Sequence, residues 1–303
     1  MPNASIPKKL MVIINPAAGV DRPFLGLLNT AMNQAGIQWD VKLTHKANDA
    51  RQLAKEAAKA GWDMIAAHGG DGTVMEVADG LRGTDVPLAI FPGGTGNAMA
   101  GELGIPVDLA AAVTLVASGE YSIRTIDMAT ANKQSFLLRV GIGFEADMTK
   151  IDQELKNRFG VLAYAYNALN ELRTLTPAHY KITVDGKTEE VDGVSCMVAN
   201  SGNMSTDGLK LSHKIDVADG LIDVVVFTDA NLQTILNITA SILTRADSTE
   251  QPQIMHRQGK EITVEADPPQ SISIDGEQIE PQVIKAHVLP QSVKVVVPRQ
   301  EVQ

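Results

Sequence analysis

Along roughly the first 120 residues, short apolar runs alternate with stretches whose apolar positions recur at helical spacing. LMVII (10–14), WDVKL (39–43), DMIAA (63–67) and PLAIF (87–91) read as strands. Residues 23–35 read as a helix. NDARQLAKEAAKAG reads as another, with a capping residue at its start and Gly61 at its end. Further helices follow DMIAA, running to about Leu81, and PLAIF. Strand–helix alternation with short links predicts a parallel sheet with helices on both faces. Ligands of such sheets sit beyond the carboxyl ends of the strands.

After about Asp127 the pattern changes. SFLLRVGIGF, YKITVDGK, VSCMVAN, LIDVVVF, KEITVEA and SISIDGE are strand-like, and Asp-Gly pairs or other turn signals separate many of them. Two helix candidates interrupt, at 157–175 and 231–244. The expected architecture is an α/β domain over 1–128 and a mainly-β, sandwich-like domain over 129–303. The last strand, about 290–303 and including VKVVV (293–297), is compatible with a return to the first domain.

Composition narrows the partners. The chain has 303 residues and a formal net charge of −10, which argues against broad nucleic-acid binding because that depends on Lys and Arg neutralising phosphates. Its single cysteine, Cys196, permits no intramolecular disulfide and sits in an apolar run as a small hydrophobe. MPNASIPKK lacks the apolar core of a signal peptide, and no apolar run reaches the ~18 residues of a membrane span. The expectation is a cytoplasmic protein that meets a membrane only from its surface. The assembly state stays open, a homodimer included.

Three glycine-bearing loops fall at carboxyl ends of predicted strands: NPAAG (15–19), GGDGT (69–73) and GGTGN (93–97). Glycines let main-chain amides approach an anion closely, and they also make tight turns. Thr73 and Glu76 fit a capping box, which requires no function. There is no G-x-x-x-x-G-K-[ST], and no G-x-G-x-x-G follows the first strand, so neither a P-loop nor a Rossmann dinucleotide site is expected.

NPAAG, GGDGTVMEV and FPGGTGNAMA, in this order and spacing, resemble the three nucleotide-site motifs of the diacylglycerol kinase catalytic-domain family, which includes the sphingosine kinases. DGLKLSHKIDVADGLIDVVVF resembles the family's second-domain signature, and DGE (275–277) its catalytic motif, so the resemblance covers nearly the whole chain. It implies phosphorylation of a lipid hydroxyl by ATP bound between the domains. The segments implied at the nucleotide are Asn15, Pro16, Ala17, Ala18 and Gly19, then Gly69, Gly70, Asp71, Gly72, Thr73 and Glu76, then Gly94, Thr95, Gly96 and Asn97, with Thr44 nearby. A carboxylate beside phosphates is repulsive unless a divalent cation intervenes, so Asp71 is expected to reach Mg2+. Asn97-Ala98 departs from the Asn-Asp of many diacylglycerol kinases and removes one acid from that network.

Asp216, Asp219 and the carbonyl of Leu221 match a family Mg2+ site. By themselves they would read as a turn whose carboxylates cap local amides. Asp127 matches an acid near the cleft, with a strand-end surface Asp as the plain alternative. Asp275 and Glu277 are the catalytic candidates, because the attacking hydroxyl needs a proton acceptor. Asp185, in ITVDGK, has the same Asp-Gly hairpin look without matching a catalytic motif, so the two are expected to share a local structural role. His68, His179 and His256 fall in no ligand spacing and read as surface or turn residues. Phe159, Leu162, Tyr166, Leu169 and Leu172 form a helical stripe that suits a core or an acyl-chain entrance, and Lys150, Lys156 and Arg158 suit anionic headgroups. The rival readings are a NAD or sugar kinase sharing GGDGT, and a non-catalytic lipid-binding protein. The sequence names no particular lipid.

Overall fold

The computed structural model describes residues 6–18, 24–143, 177–204, 209–229, 232–244, 246–280 and 282–299. The chain divides into two compact units, residues 1–126 with 291–303, and residues 127–290.

In the first unit, β1 (Lys9–Ile14), β2 (Gln38–Leu43), β3 (Met64–Gly69) and β4 (Leu88–Pro92) pair in parallel in the order β2–β1–β3–β4. The three inner strands are buried on both faces, as expected of apolar runs in a parallel sheet. Edge strand β2 is half-buried or exposed throughout. Helix α1 (Phe24–Gln34) packs with α5 (Leu109–Ser118), and α2 (Asp49–Lys59) packs with α3 (Asp71–Leu81). A short helix α4 (Ala98–Glu102) follows the third glycine loop. The C-terminal part of the last strand, β16 (Ile284–Pro298), returns to this unit, where Val295 pairs in parallel with Leu88.

A local signal sets one end of α2 and a distant side chain the other. At its C-terminus Gly61 takes a φ of 77°, Gly61 N donates to Ala57's neighbour Ala58, and Trp62 N reaches back to Ala57. This is a Schellman ending, which a residue without a Cβ adopts freely. Its N-terminus differs from expectation. Asn48 holds the cap position but makes no side-chain cap bond; the carboxylate of Glu76 accepts from Asn48 N (2.9 Å) and Ala50 N (3.1 Å) instead. The capping-box reading of Thr73 and Glu76 fails for a related reason. Helix α3 starts two residues earlier, at Asp71, so Thr73 lies inside it and Glu76 is free to serve another helix.

The second unit is a sandwich. One sheet runs β9 (Lys187–Gly193), β8 (Ala178–Val184), β13 (Glu261–Asp267) and the first part of β16, all antiparallel. The other runs β12 (Ile254–Gly259), β11 (Ile222–Phe227), β10 (Ser195–Ala199), β7 (Arg139–Gly143), β14 (Ile272–Ile274) and β15 (Glu277–Ile279), also antiparallel. Val140, Ile142, Val224 and Val226 of the second sheet meet Tyr180, Ile182, Ile262 and Val264 of the first in one core. Met197, Ala199 and Val225, on the opposite face, pack with Leu211, Ile215 and Ile242, the last on α6 (Leu232–Thr244). Burial on both faces explains why VSCMVA and IDVVVF read as unbroken apolar runs. It also pushes the Cys196 thiol's pKa up.

Three strands escape the sequence pattern: β5 (Tyr121–Ala131), β9 and β12. SFLLRVGIGF forms two strands, β6 (Gln134–Phe136) and β7, rather than one. The break falls at Leu137 and Leu138, whose amides are taken by a distant side chain.

Candidate functional site

Two groups of predicted residues gather, one in each unit. In the first unit the loops after β1, β3 and β4 interlock. Asn15 Nδ2 donates to Thr73 Oγ1 (3.3 Å), its Oδ1 accepts from Ala17 N (3.0 Å), and Asn15 N donates to the carbonyl of His68. Asp71 opens α3, yet its carboxylate serves the third loop: Oδ2 accepts from Ala98 N and Oδ1 from Met99 N, both at 3.0 Å. Asp71 therefore caps α4. Asn97, at φ 42°, closes that loop on itself, accepting from Gly94 N (3.0 Å) and donating to Gly94 O (2.7 Å).

The loops approach too closely for side chains in one place and stay open in another. A Cβ on Gly94 would lie 2.5 Å from the Gly70 Cα, so residue 94 must be glycine unless the backbone moves. A Cβ on Gly70 would sit 3.5 Å from the Gly94 Cα, in ordinary contact, and one on Gly72 would meet no atom within 4 Å. The first-turn amides of α3 have no partners inside the helix, and they carry the positive end of its dipole. This cradle fits an anion such as a phosphate. Thr44 is buried against β1, its N bonded to the Ile14 carbonyl, while Thr95 is exposed. Pro16 and Ala17 are exposed and Ala18 is half-buried; Gly19 lies outside the described residues.

In the second unit, Asp275 and Gly276 form the two-residue turn between β14 and β15, with φ of 46° and 92°. The Asp275 carboxylate accepts from three main-chain amides, Leu137 (2.8 Å), Leu138 (2.9 Å) and Arg139 (2.9 Å), and Asp275 N donates to Arg139 O. Asp185 repeats the arrangement. Its φ is also 46°, its carboxylate accepts from Lys260 and Glu261 amides, and its N donates to Glu261 O. The shared turn is thus structural in both. Glu277 differs: it begins β15 with an exposed side chain. An exposed carboxylate has lone pairs for a hydroxyl proton, whereas Asp275 commits at least three of about four.

The acids of DVADG lie in a turn held from β5. Asp127 is 1% exposed in mid-strand, not a strand-end surface residue as the plain alternative had it, and its Oδ2 accepts from Gly220 N at 2.7 Å. Asp216 accepts from Ala218 N (3.0 Å) and Asp219 from Leu221 N (2.9 Å), the local capping that a turn of Asp residues predicts. Burial raises the Asp219 pKa, and the nearby carboxylates of Asp223, Asp216 and Asp127 raise it further. Among the described residues no three His, Cys, Asp or Glu side chains converge as a metal-holding group. The available donors are two carboxylates and a carbonyl. That set suits Mg2+, which commonly takes one or two carboxylates and keeps several waters.

Two of the three histidines depart from the surface reading. His68 stacks on Phe24 with centroids 4.0 Å apart, its Nδ1 lies 3.0 Å from the Phe91 carbonyl, and burial lowers its pKa. His256 Nε2 lies 2.6 Å from Oδ1 of Asp223, which is 1% exposed. His179 is on the surface beside Asp192 (2.8 Å). The helix candidate at 157–175, with Phe159, Leu162, Tyr166, Leu169 and Leu172, lies outside the described residues, as do Lys150, Lys156 and Arg158. Sequence reasoning missed the side chains that bind these turns together, above all Asn200 after β10, because nothing local marks them.

Two family models match the chain: the diacylglycerol kinase catalytic domain over residues 9–131, and the YegS C-terminal NAD kinase beta sandwich-like domain over 138–297. The diacylglycerol kinase of Bacillus subtilis (strain 168) is 31% identical over 277 residues, covering 89% of this chain and 90% of that protein. The "Probable lipid kinase YegS" of Shigella dysenteriae serotype 1 is 28% identical, covering 88% and 89%. A crystal structure of a diacylglycerol kinase from Bacillus anthracis str. Sterne aligns with a TM-score of 0.73 at 25% identity, over 97% of this chain and 98% of that one.

Proposed function

Since the chain belongs to the diacylglycerol kinase catalytic-domain family of lipid kinases, we propose that it transfers the γ-phosphoryl group of ATP to a hydroxyl of diacylglycerol or a related lipid. One observation carries this reading above the others. The loop after β3 delivers the N-terminus of α3 with open space at Gly72 and no clash at Gly70, and Asp71 and Asn97 fix the neighbouring loop around it. Main-chain amides there suit nucleotide phosphates, with Asn15 to Gly19, Thr44, Gly69 to Thr73 and Gly94 to Asn97 as the binding segments. Asp71 acts first by holding the third loop, and its outer lone pairs remain suited to water-mediated contact with a cation. Glu76 acts indirectly, by capping α2.

On the acceptor side, Glu277 is the proton acceptor in this reading. Its carboxylate takes the hydroxyl proton as the lipid oxygen bonds to the γ-phosphorus and the bond to the β-phosphate oxygen breaks. Asp275 fixes the turn that presents Glu277. Asp216, Asp219 and the Leu221 carbonyl are the proposed Mg2+ ligands; the ion would neutralise the acid-rich turn and order it. Among the described residues no helix is long and apolar enough to cross a membrane, which is consistent with an acceptor met at the membrane surface.

The test is a panel of acceptors with ATP and Mg2+: diacylglycerol, phosphatidylglycerol and a sphingoid base in mixed micelles, and NAD and a sugar phosphate in solution. Products are read by mass spectrometry. Phosphorylation confined to lipid hydroxyls supports the reading; turnover of the soluble acceptors alone overturns it.

A further inference from the structure

The turn bearing Glu277 and the turn bearing Asp216 and Asp219 share an anchor that neither motif contains. Asn200 follows β10 and is 1% exposed. Its side-chain Nδ2 donates to two carbonyls from separate segments, Leu137 O (2.9 Å) and Asp127 O (3.3 Å). Its main-chain N donates to Leu138 O at 2.9 Å, and Ser201 N reaches the same carbonyl at 3.1 Å.

Each contact leads to a turn. Leu137 and Leu138 give their own amides to the Asp275 carboxylate, which fixes the hairpin that carries Glu277. Asp127 gives its carboxylate to Gly220 N inside the acidic turn, and its main-chain N to Val217 O at 2.7 Å. One carboxamide thus bridges the supports of both turns within the second unit.

The amide is held at a cost. Asn200 Oδ1 is buried without a hydrogen-bond partner in the protein, and a buried unsatisfied acceptor is destabilising. An apolar residue of similar size would avoid that penalty. The bridge made by Nδ2 is what the residue offers in return.

We propose that Asn200 is a positioning residue that sets the proton-accepting turn and the acidic turn in fixed register, acting through the main chain of Leu137 and Asp127. The proposal rests on the lipid kinase reading for its catalytic consequence, but the coupling of the two turns is measurable without it.

Two readouts test it. The first is amide hydrogen exchange in Asn200→Ala and in Asn200→Ser, whose hydroxyl can restore one of the two bonds. Exchange should accelerate at Leu137, Leu138 and Gly220 together in Asn200→Ala, and less in Asn200→Ser. The second readout is steady-state kinetics, well below the melting temperature. The kcat of Asn200→Ala should fall by about a hundredfold, as expected when a catalytic group is displaced by roughly 1 Å, with KM for lipid and affinity for ATP little changed. Val226→Ala, a core truncation remote from both turns, serves as the control for simple destabilisation and should keep its kcat. The inference is overturned if Asn200→Ala exchanges faster at only one turn, or if its kcat matches that of Val226→Ala. Should Asn200→Ala not fold, Asn200→Ser decides by the same criteria. A wild-type protein without transfer to any acceptor sinks the kinase reading, and the exchange pattern then decides the coupling alone.

Discussion

Replacing Asp275 and Asp185 by asparagine, one at a time, separates a shared structural role from a catalytic one. An amide has a single acceptor oxygen. At Asp275 that oxygen can keep Leu138 N and Arg139 N, which both bind Oδ1, but the NH2 then faces Leu137 N, donor against donor. One charge-assisted bond is lost and a buried amide is left unpaired, a cost of about 1–3 kcal/mol. At Asp185 the better bonds, from Lys260 N (3.0 Å) and Glu261 N (2.9 Å), both fall on Oδ1 and survive; only the 3.2 Å contact to Oδ2 goes. The cost there should be about 0.5–1.5 kcal/mol. For a unit of this size each kcal/mol moves Tm by about 2–4 °C. Thermal unfolding should therefore rank Asp275→Asn below Asp185→Asn, and both below wild type. Turnover should divide them more sharply: Asp185→Asn stays active, while Asp275→Asn loses most transfer because the turn presenting Glu277 shifts. The sequence alone suggests equal and small stability costs for the pair; the count of amides each carboxylate holds argues otherwise. Equal Tm losses would refute the hydrogen-bond accounting, and equal activity would refute the role of the 275–277 turn.

Three further outcomes follow from the geometry. Gly70→Ala has an ordinary φ of −85° and no clash, so it should leave Tm unchanged or slightly raised while weakening ATP binding; unaltered nucleotide affinity by calorimetry would remove Gly70 from the phosphate cradle. Mg2+ should raise the wild-type Tm and not that of Asp219→Asn, and without Mg2+ the variant should be at least as stable, since it relieves the crowding of Asp127, Asp216, Asp219 and Asp223; an equal Mg2+ shift in both would exclude Asp219 as a ligand. Burial lowers the His68 pKa below its ordinary 6.5, so the folded state binds this proton less readily than the unfolded chain; stability is complete above about 6.5 and declines as pH falls towards the depressed value, a decline that His68→Phe should lessen in Tm measurements across that range.

What could be read from the chain depended on the distance over which each residue acts. β1, β3 and β4 were legible because strands buried on both faces leave unbroken apolar runs. Strand β9, KTEEVDG, was not, because its side chains are mostly exposed and charged. β5 was hidden by Asp127, a buried acid in mid-strand, and the first part of β16 by Pro290 inside a 15-residue strand whose later part, VKVVV, was legible. The glycine loops announced themselves locally. The partners of the site side chains did not: Asp71 acts on residues 27 and 28 positions away, and Asp275 on residues 136 to 138 away. No local pattern encodes such a bond. Glu76 shows the hazard in reverse, since a sound local motif assigned it to its own helix while tertiary structure gives it to α2.

The most direct measurement is single-turnover transfer of labelled γ-phosphate from ATP to diacylglycerol in mixed micelles, comparing wild type with Glu277→Gln. Glu277 is exposed at the start of β15, so the variant should keep the wild-type Tm and ATP affinity. The wild type should form a lipid phosphomonoester that depends on both ATP and acceptor. Glu277→Gln should lose transfer by about 10²–10⁴-fold, the usual contribution of a general base. Wild-type and variant proteins that phosphorylate the lipid at the same rate would contradict the account.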